Sequence, residues 1–199
     1  RQIRGRPPER VLAALDEVVA RFPGSALPVC HRGELRLWLG DLEGARRDLD
    51  EAIERWAFTR WAYIGLTGVD ILEGNYERAL ETSAHGVEVM YGTEGPAVFV
   101  YRGEALRCLG RLSEARQDLE RALAISDKRL GAWLNLGLVF LAEEDRAGAQ
   151  RVWERLCREA SGLLSDAALA LGVTIWGDPG EEVTPEDQRR VLDRALVMM

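Results

Sequence analysis

Lysine, histidine and paired cysteines are what this sequence has least of. Lys128 is the only lysine among 26 basic residues, a bias that reads as a GC-rich bacterial source. Two histidines, His31 and His85, fall far apart, and the three cysteines, Cys30, Cys108 and Cys157, form no CxxC pair. Neither a disulfide framework nor a thiolate or imidazole metal site is expected, and no metal or cofactor is implied. Three isolated thiols read as reduced and buried, which points to the cytoplasm. Phosphate-cradling glycine loops and nucleophile elbows are also missing, so catalysis is not expected. No apolar run approaches the ~18 residues of a membrane span. The basic start, Arg1 to Arg10, has no apolar segment behind it, so no export signal is read, and a chain opening on arginine reads as cut from a longer one. A formal charge of -7, with both signs interspersed, argues against nucleic acid and against an anionic membrane surface, and mildly favours a basic partner.

What is present is a period. Ala45, Ala79, Ala115 and Ala149 recur at spacings of 34, 36 and 34. Gly40, Gly74 and Gly110 each precede one of these alanines by five residues; Gly33, Gly103 and Gly137 stand twelve residues before Ala45, Ala115 and Ala149. Within each period the apolar spacing is helical, in two runs of about 13 residues joined by a short turn. The repeating unit is therefore a helical hairpin. Small residues at the Gly33 and Ala45 places let its helices approach, and the Gly40 place ends the first helix. Val29, Tyr63, Phe99 and Trp133 on first helices, with Leu49, Leu119 and Trp153 on second helices, fill the space between. Such units are stable only when stacked.

Trp133, Leu136, Gly137, Phe140, Ala149 and Trp153 at these offsets resemble the tetratricopeptide repeat family. The resemblance implies an all-α, right-handed superhelical solenoid of helical hairpins spanning 1–199 as one domain. It places repeats at 26–59, 60–93, 96–129 and 130–163, with Glu94 and Gly95 inserted. Residues 9–22 become a partial leading unit, the second helix of a hairpin, because Leu15, Val18 and Pro23 lie 34 residues before Leu49, Ala52 and Ala57. Residues 164–199 become a distorted closing unit whose apolar end suggests a cut or a docking helix.

Charge departs from the repeat in a paired way. Arg32 and Arg102 stand where Leu66 and Leu136 stand in the other units, and sixteen residues later the arginine units carry Asp48 and Asp118 where the leucine units carry Thr82 and Val152. A buried guanidinium without a partner is costly. Arg32 with Asp48, and Arg102 with Asp118, are expected as structural ion pairs rather than as an anion site, leaving units two and four apolar.

The stripe of each first helix turned away from its partner is free for function, and in this family it lines a concave groove. On unit one it holds Cys30, His31, Glu34, Leu37 and Trp38. The resemblance then nominates Trp61, Ile64 and Ile71, next Val100, Tyr101, Glu104 and Arg107, and last Leu134, Asn135 and Leu138. A clamp for C-terminal carboxylates is not expected, because the matching places hold Cys30, Glu34, Gly65, Ala97 and Tyr101. An apolar and aromatic groove suits an extended peptide or an amphipathic helix from a protein partner, with Gly65 and Gly68 admitting its backbone. A non-catalytic interaction scaffold or adaptor follows. Against it stand three other readings: Trp38 and Trp61 as packing residues under a groove closed by the chain's own tail, a regulatory or assembly segment of a larger enzyme, and a homodimer through Val191, Leu192, Ala195, Leu196 and Met199.

Overall fold

Among the described residues the first helices of the hairpins, those ending at Trp38, Leu72, Cys108 and Ala142, each stop just before a left-handed residue. The computed structural model describes residues 8–90, 95–127 and 129–159, and every regular element among them is helical. In order these are α1 Pro8–Arg21, α2 Ala26–Trp38, α3 Leu42–Arg55, α4 Arg60–Leu72, α5 Tyr76–Met90, α6 Pro96–Cys108, α7 Leu112–Ile125, α8 Leu130–Ala142 and α9 Arg146–Glu159. The expected closing unit at 164–199, with its homodimer face, lies outside the described residues. Two compact units divide the chain at Asp118 and Leu119.

The turn inside each hairpin is built the same way four times. Gly40, Gly74 and Gly110 have φ of 82°, 78° and 74°, and Glu144 has φ of 63° at the fourth such turn. One left-handed residue lets the next amide reach back over the helix end: Asp41, Asn75, Arg111 and Asp145 donate to the carbonyls of Arg36, Asp70, Leu106 and Phe140 at 2.8–3.0 Å. The same position starts the second helix. Asp41 and Asp145 accept from the amides of Gly44 and Gly148 at 2.9 and 2.7 Å, capping α3 and α9.

In the first unit α2 pairs with α3 and α4 with α5, α1 packs on α2, and the first helices α2, α4 and α6 lie side by side. Val29, Ala45, Leu49, Ala52, Ala62 and Val69 are fully buried between them. Gly33 is small for a reason: a Cβ there would stand 2.8 Å from Leu49 Cγ. In the second unit Trp133 and Leu156 form a core joined by Leu123, Leu130, Leu134, Val152 and Trp153. The Trp153 indole lies on Gly137, where any side chain would collide with it. Its Nε1 is buried without a hydrogen-bond partner, whereas Trp133 Nε1 donates to the Asp127 carbonyl at 2.7 Å.

Buried charge ties helices together. Arg32 donates through Nε and Nη2 to both oxygens of Asp48 at 2.8 and 2.7 Å, and through Nη1 to Asp16 on α1 at 2.8 Å. Arg36 adds a bond to Asp48 at 2.9 Å. The bonds to Asp48 push the Arg32 guanidinium above its already high ordinary value. Arg102 meets Asp118 through Nε and Nη2, both at 2.6 Å.

The second hairpin is not apolar as expected. Asp70, fully buried on α4, accepts from Arg46 at 2.6 Å, Arg78 at 2.7 Å and Thr82 at 2.9 Å. Its carboxylate occupies the place that Arg36 holds one hairpin earlier, so the twelve-residue link from Arg36 to Asp48 reappears with its acid on the other helix, as Thr82 to Asp70. Arg46 belongs to α3, so this cluster staples the first hairpin to the second.

Candidate functional site

Side-by-side first helices bring one stripe of each onto a common face, covered in the middle of α4 by side chains of neighbouring helices. In the first unit that stripe runs through Leu27, His31, Glu34 and Trp38 on α2, through Trp61, Gly65, Gly68 and Leu72 on α4, and through Ala97, Tyr101, Glu104 and Cys108 on α6, at the spacing of one helical face. Its apolar side chains concentrate at the two ends. Trp38 is 74% exposed and Leu72 63% exposed near the hairpin turns, while Leu27 is exposed and Trp61 half-buried at the helix starts. Leu27 and Leu72 were missed in the sequence, although both keep the register of Trp61 and Trp38.

Polar side chains in the middle of the stripe are bonded to one another. His31 Nδ1 lies 2.9 Å from Glu34 Oε2. Arg107 holds Glu104 in a two-pronged contact, Nε to Oε2 at 2.9 Å and Nη2 to Oε1 at 2.6 Å. Cys108 sits half-buried beside them, its thiol raised above the ordinary value by burial first and Glu104 second. With these polar groups bonded to one another, this face offers a partner shape and apolar area.

Several expected lining residues are elsewhere. Ile64, Cys30 and Leu37 are buried, because one step of about 100° around the helix turns them from the open stripe into the seam with neighbouring helices. Burial pushes the Cys30 thiol up to about 12, with Glu34 adding to the shift. Gly65 and Gly68 do not leave a bare backbone for a ligand. A Cβ on Gly65 would stand 2.9 Å from Leu49, and one on Gly68 would stand 3.2 Å from the Tyr101 ring and 3.3 Å from Leu37. The glycines therefore seat the chain's own side chains, and Tyr101 lies across α4. Trp38 is not a packing residue between hairpins; Trp61 is partly one, resting on the first unit's core with Arg60 over its ring at 5.1 Å. In the second unit Leu134 packs on the Trp133 core, and Asn135 and Leu138 are half-buried on α8.

No residue set here holds a metal: among the described residues no group of three or more His, Cys, Asp or Glu side chains is placed to bind one. No helix among them is long and apolar enough to cross a membrane.

This assembly of capped helical hairpins is the tetratricopeptide-repeat fold. The chain is similar to TTC0263, a thermophilic tetratricopeptide-repeat protein of Thermus thermophilus, with a TM-score of 0.74 at 16% identity over 96% of this chain and 91% of that one. It is similar to YrrB, described as a tetratricopeptide-repeat protein with an unusual peptide-binding site, with a TM-score of 0.58 at 19% identity over 94% and 92%. A chain of the APC/C hetero-tetramer Cut9-Hcn1 matches with a TM-score of 0.64 at 18% identity, over 95% of this chain and 33% of that one. No family model and no curated protein matches the sequence.

Proposed function

We propose that this chain is a non-catalytic scaffold that binds a peptide or amphipathic helix of another protein on the open face of α2, α4 and α6. The observation that carries the reading is the exposure of Trp38 and Leu72 on that one stripe, in line with Trp61 and Tyr101. An isolated exposed leucine needs no explanation, but aligned tryptophan, leucine and tyrosine side chains on a face whose polar groups are bonded to one another do. Leu27 and Trp38 are eleven residues apart on one helix, about 16 Å at 1.5 Å per residue. That span matches about five residues of extended peptide or three turns of a docked helix. The unusual peptide-binding site described for YrrB agrees with the use of such a fold to hold a peptide.

The test is a selection of peptides from a displayed random library against the whole chain, followed by affinity measurement with Trp38→Ala combined with Tyr101→Ala. Both side chains lie at the face, so helicity should be kept. Selected peptides should bind the double variant about tenfold more weakly or worse, as removal of aromatic anchors does at protein interfaces. Unchanged affinity across all selected peptides would reject the face.

A further inference from the structure

A second surface lies at the edge where one hairpin passes to the next. The α1–α2 loop and the α3–α4 loop meet there, joined by Arg55 Nη1, which donates to the Ser25 carbonyl at 2.9 Å. Three large aromatic side chains stand in these loops, Phe22, Trp56 and Phe58, at 51%, 59% and 56% exposure. They are not loose. The Ser25 amide bonds the Phe22 carbonyl at 3.0 Å, the Thr59 amide bonds the Trp56 carbonyl at 3.0 Å, and Thr59 Oγ1 donates to that same carbonyl at 2.6 Å. The Trp56 and Phe58 rings are tilted at 57° with centroids 6.4 Å apart. The place is not uniformly aromatic: Trp56 shares it with Phe22, and the corresponding residue after α7 is Ser126. Exposed aromatic rings carried on hydrogen-bonded turns are the kind of surface that partners bind.

Arginine flanks this edge. The Arg21 guanidinium lies 5.6 Å from the centre of the Phe22 ring and the Arg60 guanidinium 5.1 Å from the centre of the Trp61 ring. A guanidinium held beside a ring keeps N–H groups able to grip a carboxylate. Arg55, between them, is engaged with Glu51. The whole chain carries a formal charge of -7, so an extended polyanion or anionic bilayer meets repulsion away from these arginines. We propose that the edge formed by the α1–α2 and α3–α4 loops, which adjoins the open helical face at Trp61 but is centred on the loops, is a docking site for a short acidic protein segment bearing an aromatic or aliphatic anchor. The anchor rests on Trp56 and Phe58, and carboxylates on either side of it pair with Arg21 and Arg60.

The experiment is fluorescence anisotropy on the whole chain with a labelled synthetic peptide alternating aspartate and phenylalanine, beside the same peptide with lysine for aspartate. The acidic probe should bind at least about tenfold more tightly than the basic one, and added salt should weaken it. Arg21→Gln with Arg60→Gln should remove that preference. Trp56→Ser with Phe58→Ser should weaken the acidic probe about tenfold, and Trp38→Ala with Tyr101→Ala should leave it unchanged. All six positions are exposed or half-buried, so each variant should stay helical, which circular dichroism is to check. Equal binding of the two probes, or an acidic preference that survives Arg21→Gln with Arg60→Gln, overturns the proposal. Sedimentation with phosphatidylserine vesicles, absent with phosphatidylcholine and lost in the same arginine variant, would assign the edge to a membrane and likewise overturn it.

Discussion

Replacing Asp70 by alanine tests whether hairpins one and two are held together by charge. The carboxylate is fully buried and receives hydrogen bonds from Arg46, Arg78 and Thr82. Removing one member of a buried ion pair typically costs ~3–5 kcal/mol, because the partner keeps its desolvation penalty. Two features reduce that here: both guanidinium groups are partly exposed, and both retain Glu73, at 2.9 and 2.8 Å. A loss of about 2–3 kcal/mol follows for Asp70→Ala, read in urea by circular dichroism. In a chain of this size it corresponds to a fall in Tm of roughly 5–10 °C. Asp70→Leu with Thr82→Val should lose less than Asp70→Ala, since the third hairpin already carries Leu106 at this place and the fourth carries Val152 opposite. A loss below about 0.5 kcal/mol for Asp70→Ala would refute the staple, as would an apolar pair no better than alanine.

Glu144→Gly should stabilise the chain by about 0.5–1 kcal/mol, because glutamate there holds a φ of 63° that glycine adopts without strain; thermal melts of the two proteins check it. Gly137→Ala should do the opposite by about 1–3 kcal/mol, since the added methyl collides with the Trp153 indole, and near-ultraviolet dichroism should show the displaced ring. Alkali should destabilise the fold through Cys30. Its folded thiol titrates near 12 and an exposed one near 9, so between those values the unfolded chain has lost a proton that the folded chain keeps, and stability falls as pH rises. The slope is at most about 1.4 kcal/mol per pH unit, and it should shrink in Cys30→Ala. The same burial predicts that Cys30 reacts with a disulfide reagent only after denaturant is added.

Periodicity carried most of the hairpin architecture, because glycine and alanine recur wherever two backbones must approach or a helix must end. The fourth turn, expected within 130–163, lacks this mark because Glu144 stands where the others have glycine, and its backbone conformation is imposed by the turn. Charge that changes together across repeats pointed to Arg32 with Asp48 and Arg102 with Asp118, and both pairs stand at hydrogen-bond distance. Asp70 was hidden from the same comparison. Its carboxylate sits one helical turn beyond the Arg32 place, and one of its partners, Arg46, comes from the preceding hairpin. The open face was only partly legible for a geometric reason. Neighbouring positions differ by about 100° around a helix, and only the packed structure tells which of Cys30, His31 and Ile64 is covered. Gly65 and Gly68 read as room for a ligand because a sequence does not show Leu49 and Tyr101 arriving from other helices. Phe22, Trp56 and Phe58 lie in loops, where no period marks them.

The indole N–H signals of the tryptophans provide the most direct test of the binding face. A peptide selected against the chain is added to protein carrying 15N-labelled tryptophan, with each signal assigned by substitution. Trp38 and Trp61 should shift or broaden as the peptide saturates, while Trp133 and Trp153, packed in the core of the second unit, should stay fixed. Shifts confined to Trp56, or none at Trp38 and Trp61 under saturating peptide, would contradict binding on the face of α2, α4 and α6.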